Sequence, residues 1–77
     1  MKNQDEYLLL LGKTVKKYRN NLKISQEKLA FICGFDRTYI SLIERGKRNI
    51  SFINLLRLSK GLEITISEIT KDIKYDY

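Results

Sequence analysis

The sequence predicts an all-α domain of five short helices. Three observations carry that expectation. Apolar residues recur at spacings of three and four along most of the chain, the period of a helix with one buried face. Serine, threonine or aspartate precedes most of those apolar segments, where a side-chain oxygen can cap a helix start. The 77 residues contain no proline, no repeat and no strand-like alternation. This length allows one small domain, residues 1–77, whose core is marginal alone.

The first helix is expected from near Asp5, whose charge suits a helix N-terminus, to Asn20–Asn21. Leu11, Val15, Tyr18 and Leu22 share one face of it, and Lys13, Lys16 and Lys17 take the others. Gly12 costs up to ~1 kcal/mol relative to alanine, so the start of this helix is expected to fray. Ser25 caps the second helix, with Glu27 in its first turn favouring the helix dipole. Leu29, Ala30, Ile32 and Cys33 supply its apolar positions, and Ala30 is small where another helix must cross. Gly34 can adopt a positive φ at no steric cost and ends the helix.

Phe35 should fold back onto the core, and Asp36 caps the third helix. Ile40 and Ile43 form its inner face. At ~100° per residue, Arg37, Thr38, Ser41, Leu42 and Arg45 spread over the opposite side. Tyr39 lies between the two faces, so a core-edge ring and an outward-facing ring both remain open. Gly46 ends this helix, and Lys47, Arg48 and Asn49 make a basic loop. Ser51 caps the fourth helix, with Leu55, Leu56, Leu58 and Leu62 as its apolar positions. Thr65-Ile66-Ser67-Glu68 is a T-x-x-E capping box that opens a fifth helix striped by Ile66, Ile69, Ile73 and Tyr75.

Ser25–Gly46 therefore reads as two short helices around a tight turn, a helix-turn-helix whose second helix presents a polar row to the major groove of DNA. Charge agrees. Twelve of the fifteen basic residues lie within residues 13–60, against only Glu27, Asp36 and Glu44. Residues 61–77 carry Lys71 and Lys74 against Glu63, Glu68, Asp72 and Asp76. The centre is suited to a polyanion and the two ends are not.

One cysteine and no histidine exclude an internal disulfide, a cysteine-based metal site and the usual general base. No nucleophile–base pair, phosphate loop or metal-ligand set is visible, so neither an enzyme nor a cofactor, metal or small-molecule ligand is expected. No apolar run could span a bilayer. Tyr7–Leu11 is too short for a signal sequence and follows Asp5 and Glu6, so a cytoplasmic protein is expected, with no membrane partner. Cys33 reads as a small core residue beside the turn.

Within the polar row, Arg37 has the planar fork that donates two bonds to guanine O6 and N7. Thr38 can offer its methyl to thymine or its hydroxyl to a base edge, and reads equally as a surface threonine. Gln26, Lys47, Arg48, Asn49 and Ser51 suit phosphate positioning, although Ser51 as a cap alone would also satisfy the pattern. Lys13, Lys16 and Lys17 read as a solvated face or a long-range field. The apolar residues of the last two helices exceed what so small a core hides. Some of Phe52, Ile53, Leu56, Ile66 and Ile69 should be exposed in a monomer and covered in a two-fold dimer, whose recognition helices would stand ~34 Å apart.

Ser25-Gln26-Glu27-Lys28-Leu29-Ala30, Gly34, Ile40-Ser41-Leu42-Ile43-Glu44-Arg45-Gly46 and Ser51 followed by leucines resemble the Cro/repressor-type helix-turn-helix family. The resemblance runs from Arg19 to Ile69. Asp36-Arg37-Thr38-Tyr39-Ile40-Ser41 with Arg48-Asn49 looks closer still to the small controller proteins of bacterial restriction–modification systems. The resemblance implies a lambda-repressor-like five-helix fold that binds double-stranded operator DNA as a homodimer through a dimerisation region at about 50–77. It implies a phosphate contact from Gln26. It implies that Arg37, Thr38, Tyr39 and Ser41 approach bases or neighbouring phosphates. It also implies an ion pair between Arg19 and Glu44, which could otherwise be separate surface charges. RNA polymerase is a further expected partner of such a regulator. Two residues depart from the family: Gly61 stands where alanine is usual and Glu63 where glycine is frequent, which leaves the end of the fourth helix open. An antitoxin or phage-type repressor, and a protein-interaction module that kept the fold without DNA binding, are the rival readings.

Overall fold

Four of the five helices begin where a short polar side chain accepts from an otherwise unpaired backbone amide. The structure, a computed structural model, describes residues 3–75. Lys2 and Asp76, which enter the charge distribution above, lie outside the described residues together with Met1 and Tyr77. The helices are α1 Gln4–Asn21, α2 Gln26–Cys33, α3 Arg37–Glu44, α4 Phe52–Gly61 and α5 Ile66–Thr70, and no strand occurs among the described residues. The side chains of Asn3, Ser25, Ser51 and Thr65 accept from the amides of Glu6, Lys28, Asn54 and Glu68 at 3.0–3.1 Å. Asp36 departs from the expectation. It stands at the N-cap of α3 without a side-chain capping bond, and its backbone carbonyl oxygen accepts from Tyr39 and Ile40.

The first four helices close alike. The chain turns left-handed one residue past the end of α2 and two past the ends of α1, α3 and α4, and two backbone hydrogen bonds to the last turn satisfy carbonyls there. At α2 the amides of Gly34 and Phe35 donate to Phe31 and Ala30, and at α3 those of Gly46 and Lys47 donate to Ile43 and Leu42. Gly34 and Gly46 take φ of 75° and 72° there. Non-glycine residues occupy the same place after α1 and α4, where Lys23 and Glu63 have φ of 58° and 61°. The helix ends left open at Gly61 and Glu63 resolve in this way: α4 continues through Gly61, and Glu63 makes the left-handed turn.

The core lies between all five helices, with Val15, Leu29, Ile40, Ile43, Leu58 and Leu62 at its centre. α1 runs unbroken from Gln4 through Gly12. Gly12 marks a close approach. A Cβ there would strike the carbonyl oxygens of Ile43 and Glu44, so α1 and α3 meet backbone against backbone. A Cβ at Gly61 would strike the Sγ of Cys33, so the missing methyl makes room for that thiol between α2 and α4.

Two apolar assignments change. Ile69 is 1% exposed, because α5 packs between α1 and α4 and turns this residue into the core, so it cannot serve a dimer interface. Ile32 is 49% exposed on the outside of α2 and is not a core position. Tyr75 lies beyond α5 and stacks on Tyr7 of α1, ring centroids 5.5 Å apart, bringing the two ends of the described chain together.

Candidate nucleic-acid interface

α2 and α3 pack across the Gly34 turn, and α1 holds α3 from behind through Gly12. A buried polar cluster fixes that packing. Arg19 Nε donates to Glu44 Oε2 at 2.6 Å and Arg19 Nη2 to Glu44 Oε1 at 3.1 Å, a bidentate pair. The two side chains are only 11% and 3% exposed. Arg19 Nη1 donates to the carbonyl oxygen of Ile24, and Gln26 Nε2 donates to Glu44 Oε1 at 3.0 Å. One carboxylate therefore ties the end of α1, the start of α2 and the end of α3 together. Gln26 belongs to this cluster and is half-buried, leaving its outer edge at the α2 N-terminus.

α3 presents the expected row. Arg37 and Thr38 are exposed in its first turn, and Ser41 is half-buried one turn further on. Lys47, Arg48 and Asn49 are exposed in the loop that follows, and Ser51 is exposed while capping α4. Tyr39 takes the core-edge position, half-buried against the core. Its ring packs edge-on against Phe35, centroids 4.8 Å apart, and its hydroxyl accepts from Asn54 Nδ2 at 3.1 Å. The Arg48 guanidinium lies 5.3 Å from the centroid of the same ring, so the loop after α3 packs back on a ring of α3.

Sequence reading missed Arg57 and Asn54. Arg57 Nη2 donates to the carbonyl oxygens of Cys33 and Gly34 at 2.8 and 3.0 Å, and Nη1 donates to Asn54 Oδ1 at 3.3 Å. Its guanidinium carbon stands 4.5 Å above the Phe35 ring. The bare carbonyls that end α2 were a signal that a donor was needed; no spacing says that it comes from α4. Beside them, burial pushes the Cys33 thiol up, and the Arg57 charge offsets only part of that effect.

The proposed dimer residues divide. Phe52 and Ile53 are 65% and 63% exposed on the first turn of α4 and Leu56 is 41% exposed one turn later, forming one apolar strip. Ile66 is half-buried and Ile69 is in the core. Among the described residues no group of acidic or cysteine side chains is placed to hold a metal ion, and no helix is long and apolar enough to cross a membrane.

Comparison with known proteins agrees with this arrangement. The chain is 48% identical over 64 residues to the control protein C.MunI of Mycoplasma, covering 82% of this chain and 86% of that one. It is 51% identical over 57 residues to the control protein C.BamHI of Bacillus amyloliquefaciens, covering 73% and 70%. Among solved structures, the restriction-modification controller protein C.AhdI of Aeromonas hydrophila superposes with a TM-score of 0.84 at 37% identity, over 88% of this chain and 99% of that one. Residues 15–69 match the family described as helix-turn-helix, and with that span covering the capped helices, the Gly34 turn and the polar row of α3, the chain belongs to the helix-turn-helix family.

Proposed function

We propose that this chain is a sequence-specific DNA-binding transcriptional regulator of the restriction–modification controller type, which autoregulates its promoter as a homodimer. The observation that carries the reading is the exposed pair Arg37–Thr38 in the first turn of α3, a helix tied to α1 and α2 through Glu44, in a chain whose relatives are control proteins. Arg37 and Thr38 read base edges, with Tyr39 and Ser41 beside them. Lys47, Arg48, Asn49 and Ser51 clamp the phosphates, and the α2 N-terminus at Gln26 adds another phosphate site. The apolar strip of Phe52, Ile53 and Leu56 joins two copies, so that two recognition helices meet successive major grooves ~34 Å apart. Operator occupancy then acts by position, blocking or recruiting RNA polymerase.

A gel-shift titration on the DNA upstream of its own coding sequence, at several salt concentrations, tests this reading. Preference for that DNA over a scrambled duplex, with affinity falling steeply as salt rises, is the expected result. Equal affinity for both duplexes would refute it.

A further inference from the structure

The contacts of α4 with the recognition helix settle which way the Tyr39 hydroxyl can point its proton. Arg57 carries donors only, so the atom of Asn54 that faces it at 3.3 Å must be the amide oxygen. Arg57 is itself held in place by the carbonyl oxygens of Cys33 and Gly34 and by the Phe35 ring. With its oxygen turned to Arg57, Asn54 presents its NH₂ group to Tyr39, whose oxygen accepts at 3.1 Å. A phenol that already accepts one bond is left with its own O–H to donate. Tyr39 follows the exposed Arg37 and Thr38 in α3, with its ring half-buried and edge-on to Phe35.

We propose that Arg57 and Asn54 are positioning residues for specificity: they fix the hydrogen-bond polarity of the Tyr39 hydroxyl, making it a donor toward acceptor edges of the DNA. This inference rests on the DNA-reading role proposed above and deepens it. The groove edges that satisfy such a donor are guanine O6 or N7, adenine N7 and thymine O4, while the cytosine amino group is rejected.

Asn54→Asp reverses the polarity with almost no change of shape. The carboxylate accepts from Arg57 and also from Tyr39, whose hydroxyl then donates inward and offers only lone pairs outward. Selection from a randomised duplex pool, followed by titration of the selected site and its single-base variants, measures the outcome. The expected result is a roughly three- to tenfold loss of preference, confined to the base pair that Tyr39 reaches. In a Tyr39→Phe background the same substitution should leave the base preference unchanged. Its added negative charge weakens all duplexes equally in both backgrounds and so is read separately. A purely structural role for Asn54 would instead change the melting temperature or lower affinity evenly. Should Asn54→Asp fail to fold, Arg57→Gln frees the Asn54 amide to flip, and the same localised loss is expected. If the wild type is selective and the folded variants keep its base profile, or lose affinity evenly, the polarity proposal is overturned while the DNA-reading role stands. If the wild type selects no site, both are overturned.

Discussion

Arg37 and Arg48 look alike in the sequence, but their surroundings differ, and the proposed reading gives them different work. Arg37 is exposed in the first turn of α3, where a side chain can reach into a groove, whereas Arg48 lies in the loop against the Tyr39 ring. Arg37→Ala is expected to relax base preference, at roughly 1–3 kcal/mol for the pair it reads. Arg48→Ala should weaken all sequences alike and flatten the salt dependence. Equal loss on every duplex from both variants would dissolve the division between base reader and phosphate clamp. The Arg19–Glu44 pair has a different role, since it is buried and away from the polar row. Glu44→Ala would strand the Arg19 guanidinium at 11% exposure and leave Gln26 Nε2 without its acceptor. Thermal unfolding should show a loss of about 3–5 kcal/mol. Replacing Arg19 and Glu44 together by apolar residues should recover most of it.

At the scale of the helix, starts were legible in the sequence and ends only partly so. Ser25, Ser51 and Thr65 could be read as caps because the bond they make is to an amide three residues away. Gly34 and Gly46 were legible because a left-handed turn favours glycine. Lys23 and Glu63 were not, since nothing in their chemistry announces a positive φ. The tertiary structure imposes it, and the strain makes a prediction. Glu63→Gly should stabilise the fold by about 1 kcal/mol, raising the melting temperature by roughly 4–8 °C. Gly12 misleads in the opposite sense. Local propensity marks it as a weak point, yet it permits the backbone contact between α1 and α3 that holds α3 in place. Gly61 repeats the lesson between α2 and α4. Gly61→Ala gains helix propensity and still should destabilise by about 1–3 kcal/mol through the clash with Cys33 Sγ. Cys33→Ala in the same chain should relieve it, which a double-mutant cycle on thermal melts would register as coupling between the two sites.

For the whole molecule, hydrophobic periodicity gives the count of apolar residues but not their destinations. Ile69 and Ile53 carry the same side chain on neighbouring amphipathic helices. The first is enclosed by α1 and α4, and the second is left on the surface beside Phe52 and Leu56. The sorting depends on how α5 docks, a long-range relation that a local pattern does not hold. What remains outside is a short strip on α4 turned away from the core, while the adjoining face of the same helix carries Asn54 to Tyr39 and Arg57 to the Gly34 turn. One element would therefore join the copies and steady the reading head, so a loss of dimerisation can be separated from a loss of reading. Phe52 is 65% exposed and faces neither Asn54 nor Arg57 across a turn, so Phe52→Asp should leave the monomer folded and its melting profile close to wild type. Sedimentation at micromolar concentration should show a monomer for the variant and a dimer for the wild type. Affinity for a full two-half-site operator should fall on the order of 10²-fold or more, because the second half-site no longer binds as an intramolecular event. Affinity for an isolated half-site should barely change. A wild type that sediments as a monomer, or a variant that loses half-site and full-site binding equally, would remove the dimer from the account and leave each recognition helix to act alone.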